Sequence, residues 1–346
     1  NASSAVLNRV IGQDPTQILG QLLSNGRVYL VNPNGMVFGK GAVIDVAGFA
    51  ASTLNISNAD FLSGKNAFNG TGLEGKITNL GTIRTQEGGH VYLIAPNVEN
   101  GASGVISSPK GDVVIAAGKT VELVNSQNPD IRVEFTAPQN QAVNAGQIVA
   151  NSGRIGIYGT LVKNSGLVSA SRAEVGDGGR IVLRGVKDVT LDTTSRIEAN
   201  GAKGGSIEVR AETGTLLAQG TIEAKGEAGK GGDIALLGNR VAVNAATVDA
   251  SGKAGGGSVL IGGDYQGKNA AVQNAQRTIV TDTATIRADA TGIGNGGKVI
   301  VWADGDTRFY GTVTAKGGAQ GGDGGFVEVS GKQVLTFAGM VDTTAP

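Results

Sequence analysis

The stretch GGRIVLRGVKDVTLDTTSRIEANGAKGGSIEVR, residues 178–210, decides the fold because it contains one full turn of a repeat. A Gly-Gly pair is followed by one variable residue and then by a short strand of alternating apolar residues. A second short strand, of the type Ile-x-Ala, comes before the next Gly-Gly pair. The same pattern recurs as GGSIEVR from Gly204, GGDIALL from Gly231, GGKVIVW from Gly296 and GGFVEVS from Gly324, with GGHVYLI from Gly88 and a looser GGSVLIG from Gly256.

From Gly178 onward, successive Gly-Gly pairs are about 25 to 28 residues apart, except for one longer interval between Gly256 and Gly296 that must contain an insertion. A repeat of this length is typical of a solenoid, in which each coil buries its inward side chains against its neighbours. Helical repeats are disfavoured, because the chain has 58 glycines in 346 residues and glycine is costly inside helices. The abundant β-branched residues suit strands instead. The sequence therefore predicts an all-β, parallel β-helix, right-handed by the crossover rule, with an N-terminal cap and with strand and loop excursions.

The composition excludes several classes of function. Lys+Arg and Asp+Glu both number 29, so the zero net charge gives no attraction to nucleic acid or to an anionic membrane. The lack of cysteine excludes disulfides, thiolate zinc sites and thiol nucleophiles. No apolar run of about 18 residues is present to span a bilayer. We expect no cofactor and a monomer, and we expect the chain to be part of a longer protein because it begins and ends within the pattern.

Three segments can be distinguished within one continuous solenoid domain. Residues 1–69 are irregular and rich in special turns, which is typical of a cap over the open end of a β-helix. Residues 70–143 hold the first coils, with an excursion near 125–143 that loses the Gly-Gly phase but keeps alternation in IRVEF. Residues 144–346 form the regular shaft.

The most specific short motif is Asn32-Pro33-Asn34-Gly35, which lies between the apolar strands VYLV and MVFG. Proline at the second position fixes φ for a type I turn, Asn32 can accept a local hydrogen bond, and Gly35 suits the fourth position. Taken alone, the tetrapeptide predicts a tight turn and nothing more.

The surrounding sequence adds a resemblance. The run AVLNRVIGQDPTQILGQLLSNGRVYLVNPNGMVFGKGAVIDVAGFAAST, residues 5–53, closely resembles the secretion domain of two-partner secretion exoproteins, the filamentous haemagglutinin family. In that family a Leu-Asn-Arg-Val segment, an Ile-x-Gly segment and an Asn-Pro-Asn-Gly turn follow one another at this spacing. Two further segments, FTAPQNQAVNAGQI at 135–148 and GGDGGFVEVSGK at 321–332, resemble the high-molecular-weight adhesin branch. An upstream Asn-Pro-Asn-Leu motif found in some branches has no copy here.

The resemblance implies export through the outer membrane of a Gram-negative bacterium to the cell surface or the medium. The implied partner is an outer-membrane β-barrel transporter with periplasmic POTRA domains, and the chain would fold as it emerges. Carried over by position, the residues of the secretion motif are Asn8, Arg9, Asn32, Pro33, Asn34 and Gly35. They either contact the transporter or only permit folding. The resemblance predicts that this chain is the secretion domain and proximal shaft of a surface adhesin. In the same family, haem scavengers, haemolysins and contact-dependent toxins carry the same kind of secretion domain.

A polysaccharide-degrading enzyme is the alternative from a different class, since β-helices also include such enzymes. That chemistry requires carboxylates clustered on one face. Asp177, Asp233 and Asp323 recur beside the Gly-Gly pairs, which is typical of turn residues. Asp304 and Asp306 are the best remaining pair, but the sequence favours a protein that is not an enzyme and that holds no metal.

Alternation along the strands predicts which side chains face the interior. The residue directly after each Gly-Gly pair should point outward, so we expect His90, the only histidine, to be solvated rather than catalytic or metal-binding. The predicted inward set consists of Ile181, Leu183, Ile207, Val209, Ile234, Leu236, Val299, Val301, Val327 and Val329.

The same alignment places Trp302 outward, with Phe309 and Tyr310 on the next strand. Exposed aromatic side chains commonly stack on sugars or anchor partners. One prediction is therefore a contact with a glycan or a host receptor at these three residues. The favoured alternative is that the insertion between Gly263 and Val280 covers them.

Overall fold

The computed structural model describes residues 3–124, 130–134, 140–172 and 177–346, without the side chains of 124 and 130–134. Its backbone forms two compact units, Asn1–Ala150 with Ile155–Gly166, and Asn151–Arg154 with Leu167–Pro346. Nearly every strand pairs in parallel with the strands one repeat away in sequence, which confirms the predicted parallel β-helix.

Within its described residues, the first unit contains one short helix and most of the irregular segments. Its strands are β1 Ala5–Arg9, β2 Thr16–Ile18, β3 Gln21–Leu23, β4 Arg27–Val31, β5 Met36–Phe38, β6 Val43–Val46, β7 Gly48–Ser52, β8 Asn55–Ile56, β9 Asn66–Asn69, β10 Ile77–Asn79, β11 Thr82–Thr85, β12 His90–Ala95, β13 Val98–Asn100, β14 Val105–Ser107, β15 Asp112–Ala117, β16 Thr120–Val124, β17 Asp130–Glu134, β18 Gln141–Asn144, β19 Gln147–Val149 and β20 Arg154–Asn164.

The second unit repeats the same coil with little interruption. Its strands are β21 Leu167–Ser169, β22 Arg180–Leu191, β23 Arg196–Glu198, β24 Ser206–Ala218, β25 Thr221–Glu223, β26 Asp233–Val243, β27 Thr247–Asp249, β28 Ser258–Ile261, β29 Arg277–Val280, β30 Thr285–Arg287, β31 Lys298–Ala303, β32 Asp306–Phe309, β33 Thr312–Thr314, β34 Phe326–Gly331, β35 Val334–Phe337 and β36 Met340–Asp342. A 3₁₀ turn, Tyr265–Gly267, lies in the insertion between β28 and β29.

Each coil of the first unit supplies three strand segments that stack on the equivalent segments of the next coil. In the first of these columns β2, β5, β10 and β13 pair in order, and in the second β3, β6, β11 and β14 do so. In the third, β1, β4, β7, β12 and β15 pair in order. Parallel coils therefore begin within residues 1–69, earlier than the predicted first coils at 70.

An antiparallel sheet lies outside this stack and confirms that the first unit carries an excursion. β9 pairs with both β8 and β16, and β16 pairs with β17. Of the predicted excursion near 125–143, residues 125–129 and 135–139 lie outside the described residues. Helix α1, Asn58–Ser63, joins β8 to β9; its N-cap is Ser57, whose hydroxyl accepts from the Asp60 amide, and Gly64 ends it in a left-handed conformation. Among the described residues, no helix has the length and apolar character required to cross a membrane.

The Gly-Gly pairs mark the points where consecutive coils approach most closely. A Cβ on Gly232 would lie 2.0 Å from the carbonyl oxygen of Gly205, the matching residue one coil earlier. The equivalent distance from Gly205 to the Gly179 oxygen is 2.1 Å. The Gly232 amide also closes its own loop by donating to the Ala224 oxygen at 2.7 Å. The repeat therefore requires glycine because no side-chain atom fits between the stacked backbones.

The predicted inward residues form the interior of the second unit. All are buried except Val327 and Val329, which are half-buried on β34, the final strand of their column. The first unit instead carries a line of buried asparagines, in which Asn79 donates to Asn100 at 2.8 Å, Asn100 to Asn144 at 2.8 Å and Asn144 to Asn164 at 2.7 Å. In the second unit the matching positions of the repeat are apolar, namely Leu191, Ala218, Val243, Val280, Phe309 and Phe337.

Candidate functional site

The Asn32–Gly35 motif forms the tight turn that the sequence predicts, between β4 and β5. The Gly35 amide donates to the Asn32 carbonyl at 3.2 Å, and the Asn34 amide donates to the Asn32 side-chain oxygen at 2.9 Å. Gly35 has a φ of 111°, which a residue with a side chain rarely adopts. Asn32 is fully buried, whereas Pro33 is exposed. The turn is thus closed by its own backbone and by one asparagine side chain.

Both asparagine amides reach back to residues 12–16, which run from the loop after β1 into the start of β2. Asn32 Nδ2 donates to the Asp14 carbonyl at 3.0 Å and to the Thr16 hydroxyl at 2.8 Å. Asn34 Nδ2 donates to the Gly12 carbonyl at 2.8 Å. The amides therefore hold the first coil against the turn.

A second loop, residues 71–76, packs on the other side of the turn. The Gly75 amide donates to the Pro33 carbonyl at 2.8 Å, and a Cβ on Gly75 would lie 2.4 Å from the Asn34 carbonyl oxygen. Glu74 shapes this loop by accepting from the amides of Thr71 at 2.6 Å and Gly72 at 2.8 Å. Burial opposes ionisation of Glu74, but these hydrogen bonds outweigh it and lower the pKa of Glu74. The turn is therefore the middle of three stacked layers, with residues 12–16 on one side and the loop 71–76 on the other.

Sequence reasoning missed this third layer, in which Gly75 packs directly on the turn. Its signal in the sequence is weak, because TGLEGK resembles any other loop and lacks the Gly-Gly repeat. Only the pairing of β5 with β10 brings the loop onto the turn.

Asn8 and Arg9 lie on the edge strand β1, opposite Leu30 and Val31 of β4. The Arg9 guanidinium donates to the Asn58 side-chain oxygen at 2.8 Å and to the Ile56 carbonyl at 2.6 Å. Arg9 therefore ties the first coil to the excursion, while the Asn32–Gly35 turn ties it to the stack. Asn8 is exposed.

The prediction that His90 is solvated is wrong. Its ring stacks on Tyr92 with centroids 4.5 Å apart and meets the edge of Tyr29 at 6.1 Å, and Tyr29 in turn packs against Phe61 of α1. Gly48 leaves room for the imidazole, since a Cβ there would lie 2.7 Å from His90 Cε1. The side chain does point outward, but Phe61 on the excursion covers the aromatic cluster.

The buried imidazole makes stability depend on pH. Burial, reinforced by the nearby charge of Arg27 and opposed by Asp112, lowers the pKa of His90 to about 4. Its Nε2 is buried and has no hydrogen-bond partner among the described residues. The unfolded chain, with a histidine pKa of about 6.5, therefore binds a proton more readily than the folded chain between those two values. The contribution of His90 to stability should therefore be fully present above about pH 6.5, be lost progressively as the pH falls to about 4, and change no further below that.

We expect His90 to contribute up to about 3 kcal/mol of pH-dependent stability over this range, at 1.36 kcal/mol per pKa unit. Urea unfolding of the wild type and of His90→Gln at pH 7 and at pH 4.5 measures it. The variant should be less pH-dependent than the wild type. Equal pH dependence in the two proteins would show that the imidazole titrates alike in the folded and unfolded chain.

The predicted exposed patch at Trp302, Phe309 and Tyr310 is wrong for the first two residues. Trp302 is 6% exposed, and Phe309 is fully buried against Phe337. The insertion lies directly on Trp302, because a Cβ on Gly267 would be 2.7 Å from the indole nitrogen. The favoured alternative, that the insertion covers Trp302, is confirmed. Tyr310 alone remains on the surface, with 37% of its area exposed.

Asp304 and Asp306 each have a structural partner of their own. Asp304 accepts from the Trp302 indole nitrogen at 3.1 Å, and Asp306 pairs with the Arg308 guanidinium at 2.9 Å. No group of three or more histidine, cysteine or acidic side chains in the described ranges is placed to hold a metal ion.

Comparison with known proteins gives consistent matches. Residues 1–187 match the model of the TPS secretion domain, the secretion domain of two-partner systems. The structure is similar to the crystal structure of the HMW1 secretion domain from Haemophilus influenzae, with a TM-score of 0.75 and 31% identity over 100% of this chain and 86% of that one.

Two curated relatives, both named heme/hemopexin-binding protein and both from Haemophilus influenzae, also match. One is 30% identical over 159 residues, which is 43% of this chain and 17% of the relative. The other is 48% identical over 56 residues, or 16% of this chain and 6% of the relative. The chain therefore spans a small part of these relatives' length. Because the family model covers more than half of it, the chain belongs to the TPS secretion domain family, whose exoproteins leave the cell through a partner outer-membrane transporter.

Proposed function

We propose that this chain is read in the periplasm by the POTRA domains of its transporter, and that Asn32 and Asn34 act by assembling the fold. The observation that carries the second part is that both side-chain amides are engaged with the segment 12–16. Asn32 is also fully buried, so its side chain has no surface to offer. Of the motif, Asn8, Arg9 and Pro33 are the exposed residues that a transporter could touch.

Assembly of the first layers favours export for an energetic reason. Each coil that forms outside the cell adds a row of backbone hydrogen bonds and buries apolar side chains. The turn is the point at which the first coil is joined to those that follow, since residues 12–16 and Gly75 both bond to it. A chain in which this turn does not form would lose the first gain in free energy that opposes its return through the transporter.

Co-expression with the transporter tests this role. Asn34→Ala removes the bonds to Gly12 and to the Asn32 side chain, so we expect less secreted protein and a loss of about 1–3 kcal/mol in unfolding free energy. The matched control is Asn55→Ala, an exposed asparagine of the same unit.

The two possible roles of the motif give different results. If Asn34 acts through folding, secretion and stability fall together, and the Pro33→Ala variant, which keeps every asparagine bond, is secreted better than Asn34→Ala. Unchanged stability with lost capture by the POTRA domains would instead assign Asn34 to transporter contact. Undiminished release would remove Asn34 from both roles.

We further propose that the exported protein is a monomeric surface adhesin and not an enzyme, with Asp304 and Asp306 serving structure. The similarity to heme/hemopexin-binding proteins supports a haem scavenger as the second candidate. Hemin titration followed by absorbance separates the two, because a scavenger shifts the haem absorption band and an adhesin promotes attachment of cells to coated surfaces.

A further inference from the structure

Two arginines of the second unit face each other across neighbouring coils. Arg240 of β26 lies directly opposite Arg277 of β29 in the parallel register, and both side chains are exposed. Like charges directly opposite each other on adjacent strands destabilise a sheet. Among the described residues, no carboxylate lies within ion-pair distance of either guanidinium. Arg240 Nε donates instead to the neutral hydroxyl of Thr215 at 3.0 Å.

A second arginine pair in the same unit shows how such a contact is normally neutralised. Arg184 of β22 lies directly opposite Arg210 of β24. Arg184 pairs with Glu212, and Arg210 Nε lies 3.0 Å from Glu208. Each arginine of this pair thus has a carboxylate of its own, whereas among the described residues neither Arg240 nor Arg277 forms an ion pair.

The surroundings of the unneutralised pair combine positive charge with one aromatic ring. Arg308 lies on β32, which pairs with β29, and Tyr310 comes directly after that strand. Both side chains are exposed. Asp306 lies opposite Arg277, but its Oδ2 is held by Arg308. Asp282, after β29, accepts from the Thr283 amide.

The spacing of these groups suits an extended anionic chain. Adjacent strands are about 4.8 Å apart, and residues two positions apart on one strand are separated by about 6.6 Å on the same face. Two guanidiniums about one strand spacing apart can share a carboxylate or sulfate oxyanion, each through paired hydrogen bonds. Tyr310 lies further along the same face, where its half-exposed ring can stack on a sugar.

We propose that Arg240 and Arg277 form the anion subsite of a binding surface for acidic glycans, with Arg308 and Tyr310 at its edge. The oxyanion of the glycan takes the place of the missing carboxylate between the two guanidiniums. This inference goes beyond export: it concerns the second unit, and it is tested on purified protein, so its failure would leave the secretion experiment unaffected.

The test is binding of the purified chain to immobilised dextran sulfate and to polygalacturonate, with neutral dextran as the reference polymer. Comparing the sulfated and carboxylated polymers identifies which oxyanion is preferred. The double variant Arg240→Gln/Arg277→Gln should bind at least about tenfold more weakly, because two charge-assisted contacts are lost. The matched control Arg184→Gln/Arg210→Gln removes the same charge from a neutralised pair and should bind within about twofold of the wild type.

Thermal unfolding of the same proteins provides an independent readout. Removing two opposed positive charges should leave the melting temperature of Arg240→Gln/Arg277→Gln unchanged or raised, so weaker binding could not be ascribed to unfolding. Equal loss of binding in both double variants would overturn the site, since net charge alone would then explain attraction. Wild-type protein that binds neither anionic polymer better than neutral dextran would overturn it as well.

Discussion

Gly232→Ala is expected to prevent the coils of the second unit from stacking. The added Cβ would lie 2.0 Å from the Gly205 carbonyl oxygen and 2.7 Å from the Gly204 carbonyl carbon, both backbone atoms that cannot rotate away. Overpacking of side chains typically costs 1–3 kcal/mol, and a clash between two backbones should cost at least about 3 kcal/mol. Urea unfolding and the amount of secreted protein measure the effect.

Gly20→Ala is the matched control, because a Cβ on Gly20 meets nothing within 4 Å. We expect it to change the free energy of unfolding by less than about 1 kcal/mol. If Gly232→Ala were as stable as Gly20→Ala, the coils would be able to separate locally. Close approach would then not be the reason for the Gly-Gly repeat.

Asn100→Leu should produce the second large loss. Asn100 is fully buried, accepts from Asn79 and donates to Asn144. The substitution removes both bonds and leaves the Asn79 amide facing an apolar side chain. Because a buried polar group without its partner costs about 1–3 kcal/mol beyond the lost bond, we expect a total of roughly 2–4 kcal/mol. Chemical unfolding measures it, and Asn55→Leu, at an exposed position, controls for the change in composition.

Replacing all four asparagines of the line by leucine gives a sharper result. The matching positions of the second unit are apolar, so the coil geometry accepts such side chains. Removing both partners of a buried hydrogen bond is far less costly than removing one. The quadruple variant of Asn79, Asn100, Asn144 and Asn164 should therefore lose much less than the sum of the four single variants. Additive losses would mean that each asparagine acts alone and that the line has no cooperative character.

Much of the fold could be predicted because each repeat marks, within a few residues, where the backbones of neighbouring coils touch. A Gly-Gly pair followed by alternating residues specifies where coils touch and which side chains face inward, and the burial of Ile181, Ile207 and Ile234 confirms that phase. The Asn32–Gly35 turn was predictable for a similar reason, since its closure depends on residues adjacent in sequence.

The errors have one physical cause. Alternation correctly placed His90 and Trp302 on the outer face of their strands, but being on the outer face of a strand does not make a side chain exposed. Phe61 on one excursion packs over the first cluster, and Gly267 on the insertion packs over the indole. Which outward side chains are covered depends on where a long loop returns, and no period in the sequence encodes that.

The sequence by itself determined the β-helix, its inner and outer faces and the position of the secretion motif, because short-range geometry dictates these features. Only the tertiary structure decided what the motif does in the fold: Asn32 and Asn34 bond to residues 12–16, and Gly75 admits the next loop onto the turn. It likewise decided that Arg240 and Arg277 oppose each other, although they are 37 residues apart in sequence. Such contacts arise from the register between coils, which is set by the lengths of the intervening loops.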